Sequence, residues 1–146
     1  MLISILIPLL NEAESLPELH DWIKTVMDKQ VYDYEIIFID DGSTDDSWAT
    51  INALKNQNNN IKAIRFSKNY GKSQALHAGF EMTRGDIVIT MDADLQDNPE
   101  EIPEMINILK SENLDILSGW KKKRYDSVLF KNLPSKLFNF AARRTS

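Results

Sequence analysis

The stretch MDADLQDNP, residues 91–99, sets Asp92, Asp94, Gln96 and Asp97 directly after an apolar run. These are oxygen donors without nitrogen or sulfur partners, and a hard divalent cation is the ligand such donors suit. Residues 92 and 94 alternate, so an extended backbone projects both carboxylates to one side. Three other apolar runs end in polar groups as well. The first delivers Pro8, Asn11 and Glu12, the second Asp40 and Asp41, the third Lys68 and Asn69. Each piece also has a plain structural reading. Asp40-Asp41-Gly42-Ser43 makes a tight turn with a helix cap. The acids at 92–97 suit a helix start, where the backbone dipole favours negative charge. Residues 68–72 make a loop with glycine in a left-handed conformation. The joint pattern is harder to reduce, because so many carboxylates on one rim repel each other unless a cation or a donor-rich ligand is present. Neither His20 nor His77 has a partner at a convincing ligand spacing, and both read as residues without chemistry.

What must position these groups is an alternation of strands and helices. Ile3–Leu9, Glu35–Ile39, Ile61–Phe66 and Asp86–Met91 read as strands, and Asp115–Ser118 as a short fifth. The second lacks apolar–polar alternation and so is expected to be buried on both faces. Between them, Ser15-Leu16-Pro17-Glu18 has capping-box spacing before a helix with Leu16, Leu19, Ile23 and Val26 on one face. Ser43 and Asp46 are expected to cap a helix carrying Trp48, Ile51 and Leu54. A third helix spans Lys72–Thr83, and Asn98-Pro99 opens a fourth with Ile102, Met105, Ile106 and Leu109 inward. The order predicts an α/β fold, a mostly parallel sheet with helices on both faces, whose ligands bind outside the carboxyl ends of the strands.

Bulk properties narrow the classes. At 146 residues the chain is about one domain long. It has no cysteine, which removes disulfides, thiolate metal sites and thiol nucleophiles. The apolar start Met1–Pro8 lacks a basic region and a cleavage site, so it reads as a strand rather than a signal peptide. No apolar run approaches the roughly 20 residues of a membrane-spanning helix. The net charge of −5 is uneven: residues 121–146 hold eight Lys or Arg against Asp126 alone, which leaves the body strongly acidic. An acidic body argues against nucleic acid as a partner, and the basic tail is free to meet an anionic surface.

Five segments, ISILIPLLNEAESL, EIIFIDDGSTDDS, FSKNYGKSQALHAGF, GDIVITMDADLQDNPEEIPEM and ILSGWKKKR, resemble in order and spacing the GT-A fold inverting glycosyltransferases of family 2. The match is to the polyprenyl-phosphate branch, the dolichyl-phosphate mannose synthase and bactoprenol glucosyltransferase type, over essentially the whole chain. The resemblance implies an enzyme that transfers a sugar from a UDP- or GDP-sugar donor, with a polyprenyl phosphate as acceptor. It places Pro8, Leu10 and Glu12 in the nucleotide pocket and Ile39 and Asp41 beside base and ribose. Lys72 and Ala93 join that pocket, and Asp92 and Asp94 are the catalytic Asp-x-Asp element. With Gln96 they would hold Mg²⁺ or Mn²⁺ against the donor's diphosphate. Lys121 and Arg124 fall where the family places arginines near phosphate, although a lysine at 121 cannot form a bidentate fork.

The resemblance divides the chain into a nucleotide-sugar-binding core, 1–120, and a basic amphipathic segment, 121–146. The end FNFAARRTS lies inside a helix-like stretch without a C-cap, which reads as an N-terminal fragment whose acceptor side lies further on. On that reading the fold is incomplete at the C-terminus, and the fragment binds donor and metal but turns over slowly or not at all. In the tail, Leu129, Phe130, Leu133, Leu137, Phe138 and Phe140 interleave with basic residues, and Pro134 breaks the helix. Such a segment lies on an anionic membrane, at its cytoplasmic face, or packs against the core or a second copy in a homo-oligomer. Two rivals remain at this level. One is a non-catalytic nucleotide- and metal-binding module. The other is a phospho-accepting receiver domain, whose acidic groups should follow the first and third strands rather than the second and fourth.

Overall fold

The computed structural model describes residues 1–119. Four strands, β1 (Leu2–Leu9), β2 (Asp33–Asp40), β3 (Ile61–Arg65) and β4 (Ile87–Thr90), form one parallel sheet in the order β3-β2-β1-β4. Helices α1 (Leu16–Met27), α2 (Ser47–Gln57), α3 (Lys72–Met82) and α4 (Ile102–Ser111) complete the unit Met1–Asp115. A short 3₁₀ turn, Pro99–Glu101, leads into α4.

The central strands are buried on both faces because helices cover both. Ile3, Ile5, Ile7, Ile36 and Phe38 face a core shared with α1, α2 and α4, through Leu16, Leu19, Ile23, Ile51, Ile102 and Ile106. Leu6, Ile37 and Ile39 face the other way, onto Ala75 of α3. Each of these buried Ile, Leu and Phe side chains contributes about 1.5–3 kcal/mol by leaving water. Helix α3 lies close to the sheet because Gly79 has no side chain; a Cβ there would come within 2.9 Å of both Ile39 and Leu6.

The lower end of the sheet is tied by a buried carboxylate. Glu35 accepts from the Ser4 hydroxyl at 2.7 Å and the Arg84 N–H at 3.0 Å, and pairs with Lys62 at 2.6 Å. Burial alone would raise the Glu35 pKa, but the hydrogen bonds from Lys62, Ser4 and Arg84 outweigh it and hold the group below the ordinary glutamate value.

Three local expectations are corrected. The capping box at Ser15 does not form: Ser15 already has helical backbone angles, and its hydroxyl donates back to the Glu12 carbonyl and carboxylate, both at 3.0 Å. Neither Ser43 nor Asp46 caps α2; the Ser47 N–H at its start donates to Asp45 instead, at 3.0 Å. Residues 115–118 form no strand, for Ile116 is 83 % exposed and the segment has no ladder partner among the described residues. Asn98 does cap as expected, accepting from the Glu100 N–H at 3.0 Å. Ile102 and Ile106 point inward from α4 as the pattern requires, with Met105 and Leu109 half-buried.

Candidate functional site: an acidic cleft at the carboxyl ends of the strands

Strand register brings the expected segments to one edge. Leu9 lies opposite Asp40, and Asp40 opposite Arg65, so β1, β2 and β3 end at one level. Strand β4 stops pairing earlier, with Thr90 opposite Leu6, and the Met91 N–H makes a last bond to the Leu6 carbonyl at 3.0 Å. Pro8 explains the stop. It has no N–H with which to make the next rung toward β4, so residues 92–94 leave the sheet beside it.

The loops beyond the strands hold each other in place. Asn11, with φ of 57°, accepts the Thr44 N–H at 2.8 Å, while its own N–H donates to the buried Ser43 hydroxyl at 2.9 Å. The Glu12 N–H donates to the Ser47 hydroxyl at 2.9 Å. Asp40 is wholly buried; one oxygen accepts the Ser43 N–H at 2.8 Å and the other faces the Arg65 guanidinium at 3.6 Å. Asp41 reaches across to the next loop and accepts the Tyr70 and Gly71 N–H groups at 2.8 and 2.9 Å. Gly42 lets the two loops touch: its φ is 80°, and a Cβ would stand 2.7 Å from the Asn69 nitrogen.

Between these loops lies an open cleft of about 300 Å³. Pro8, Leu10 and Glu12 form one wall, Asp41 and Asn69 another, and Gly71, Lys72 and Ala75 contribute the start of α3. Asp92, Ala93 and Asp94 close it. The Lys72 ammonium pairs with Asp92 Oδ1. The Asp92 N–H donates to Asp97 at 2.8 Å, and Asp94 accepts the Gln96 N–H at 3.1 Å. An oxygen-lined cleft with a lysine at a helix start suits an anionic ligand that arrives with a cation.

Residues 4–145 match the family model for glycosyl transferase family 2. The chain belongs to that family. It is 42% identical over 145 residues to an undecaprenyl-phosphate 4-deoxy-4-formamido-L-arabinose transferase of Pseudomonas fluorescens, a match covering 99% of this chain and 42% of the relative. A transferase of the same name from Yersinia pestis is 40% identical, again over 99% of this chain and 44% of its own length. The chain thus spans less than half the length of these curated relatives. Among solved structures it resembles glucosyl-3-phosphoglycerate synthase of Mycobacterium tuberculosis bound to Mn²⁺, UDP and phosphoglyceric acid. There the TM-score is 0.59 at 29% identity, over 73% of this chain and 38% of that one. A mannosyltransferase from Pyrobaculum calidifontis, in complex with GDP-mannose and Mn²⁺, shares the fold with a TM-score of 0.63 at 23% identity, over 73% and 32% of the two chains.

In this family 2 chain the expected site residues divide into two groups. Pro8, Leu10, Glu12, Asp41, Lys72, Asp92, Ala93 and Asp94 all line the one cleft. Ile39 does not: its side chain is fully buried under α3, facing Leu6 and Ala75, with no surface for a base or ribose. Gln96 is exposed and does not line the cleft; it follows Leu95, whose φ of 62° is left-handed. Asp97 accepts the Asp92 N–H and braces the acidic loop. Lys121, Arg124 and the segment 121–146 lie outside the described residues. His20 is buried between Asp21 and Asn58, at 2.9 and 3.1 Å, and His77 is on the exposed face of α3.

No three His, Cys, Asp or Glu side chains among the described residues are placed to hold a metal ion by themselves. Asp92 and Asp94 nevertheless fit a hard divalent ion that takes its other ligands from phosphate oxygens and water. A cation already rests on Asp92, in the form of the Lys72 ammonium.

Proposed function

We propose that the cleft binds a nucleotide-activated sugar together with Mg²⁺ or Mn²⁺, and that the protein transfers the sugar with inversion to a polyprenyl phosphate. The observation that carries the donor half is the meeting of Asp92, Asp94, Asp41 and Lys72, from three separate loops, in one cleft of a family 2 fold. Supporting it, the similar glucosyl-3-phosphoglycerate synthase is described with Mn²⁺ and UDP. The acceptor half rests on relatives about 40% identical that are named for undecaprenyl phosphate.

In this reading the walls at Pro8, Leu10 and Glu12 flank the nucleoside, and Asp41 sets the loop that faces it. Asp92 and Asp94 would hold the ion, which supplies Lewis-acid stabilisation of the departing nucleoside diphosphate. Lys72, on the first turn of α3, adds positive charge and backbone N–H groups on the same side. An oxygen of the acceptor phosphate forms the new bond to the anomeric carbon as the bond to the diphosphate breaks. That oxygen is already anionic, so no protein base is required, and binding in line is the main demand. Residues 1–120 would be the donor-binding core and 121–146 a basic segment leading toward the acceptor at the cytoplasmic membrane face. No helix among the described residues is long and apolar enough to cross a membrane.

Incubation with UDP- and GDP-sugars, Mg²⁺ and undecaprenyl phosphate tests the whole reading. A lipid-linked sugar phosphate of inverted anomeric configuration is the expected product. Donor binding without any lipid product would leave the donor site standing and remove the acceptor.

A further inference from the structure

Lys72 is the one cationic side chain that lines the cleft among the described residues, and Glu12, Asp41, Asp92 and Asp94 line it too. Its ammonium rests on Asp92 Oδ1, a carboxylate the proposed function assigns to the metal. Neither partner is locked by burial: the Lys72 side chain is 59 % exposed and that of Asp92 is 37 % exposed. The backbone beneath Lys72, in contrast, is fixed. Asp41 holds the Gly71 N–H at 2.9 Å, and Gly71 itself starts α3 at a φ of 95°. The lysine therefore has an anchored base and an exposed head, a geometry suited to exchanging partners within one cleft.

Building on the metal reading of Asp92, the geometry points to Lys72 as an exchangeable counter-cation that couples metal binding to diphosphate binding. Without ligand, Lys72 neutralises Asp92 and competes with a divalent ion for it. When Asp92 turns to the ion, the ammonium is released inside the cleft, beside the helix start, where a diphosphate brings the negative charge it has lost. Lys72 thus weakens binding of metal alone and strengthens binding of nucleoside diphosphate once metal is present. The two effects make metal and nucleotide mutually reinforcing, since coupling between two ligands is reciprocal. A cleft built this way resists loading with free metal and closes its charge balance only when donor and ion are both bound.

The test compares Lys72→Met with the unmodified chain, using titration calorimetry with MnCl₂ alone and then with UDP and GDP at saturating Mn²⁺. Lys72→Met should bind Mn²⁺ alone more tightly, by about five-fold or more, and bind nucleoside diphosphate more weakly by a similar factor. Lys68→Met is the control for diffuse charge, because Lys68 sits over the Tyr70 ring at 5.2 Å rather than in the cleft; it should change neither. An unchanged or weakened Mn²⁺ affinity in Lys72→Met overturns the exchange, as does an equal gain in Lys68→Met. Asp92→Asn separates the two readings. If it loses Mn²⁺ while Lys72→Met gains nothing, only the exchange fails. If it binds Mn²⁺ normally, or if no variant binds Mn²⁺, the metal assignment of Asp92 fails with it.

Discussion

Asp94 and Asp41 line the same cleft yet should respond differently to mutation. Asp94 is exposed, and its recorded bond is to the nearby Gln96 N–H, so Asp94→Ala should cost no more than about 0.5 kcal/mol of stability. The same change should abolish the metal-dependent part of nucleotide binding, which titration with and without Mn²⁺ would detect. Asp41 is buried and holds two backbone N–H groups, so Asp41→Ala leaves both donors short of a partner. A loss of about 1–3 kcal/mol in denaturant unfolding is expected, with weaker nucleotide binding whether or not metal is present. Much of this acidic rim could be read from residue types at strand ends. What residue types could not reveal is how several of these carboxylates are already partnered, although one buried oxygen of Asp40 accepts no hydrogen bond. Ser15 donates to Glu12, Ser43 to Asp40, Tyr70 and Gly71 to Asp41, and Lys72 pairs with Asp92. Several of these partners are backbone groups, and all depend on loop geometry. The charge repulsion inferred from sequence is therefore relieved in large part by the fold itself.

Elements are set by a close approach beside the cleft and by a buried tie at the far end of the sheet. Gly42 brings the loop after β2 onto the loop after β3, so Gly42→Ala must push Lys68 and Asn69 aside and also strain a left-handed backbone. Its melting temperature should fall, and its nucleotide affinity should fall with it, since Lys72 lies on the displaced segment. At the opposite end, Glu35 links β1, β2, β3 and the start of β4 through Ser4, Lys62 and Arg84. Its folded pKa is depressed, so the unfolded chain takes up the proton first as pH falls. The stabilisation is present above the ordinary glutamate value and is lost as pH drops through the folded one. Glu35→Gln should flatten that acid limb in urea unfolding measured across pH, and should leave ligand binding unchanged because the cleft is at the other edge. Strands and helices were legible because apolar period follows backbone geometry. Caps were less so: the sequence marks Ser15 and Ser43, but both hydroxyls are drawn to the β1–α1 loop. The left-handed backbone of Leu95 left no mark at all, since leucine has no preference for that conformation.

At the scale of the molecule, a parallel sheet places four loops at one edge regardless of their distance in sequence, and this made the site readable from a single chain. The chain belongs to glycosyl transferase family 2 and spans 42% of its relative from Pseudomonas fluorescens. The proposed donor site is the claim on which the rest of the account depends. The most direct test is a titration of the chain with UDP and GDP, in the absence and presence of saturating Mn²⁺, repeated with Asp92→Asn. One nucleotide should bind at least about ten-fold more tightly with the ion, a difference of about 1.4 kcal/mol, and the gain should vanish in the variant. Equal affinity with and without metal, or a metal-dependent gain that survives Asp92→Asn, would contradict the account.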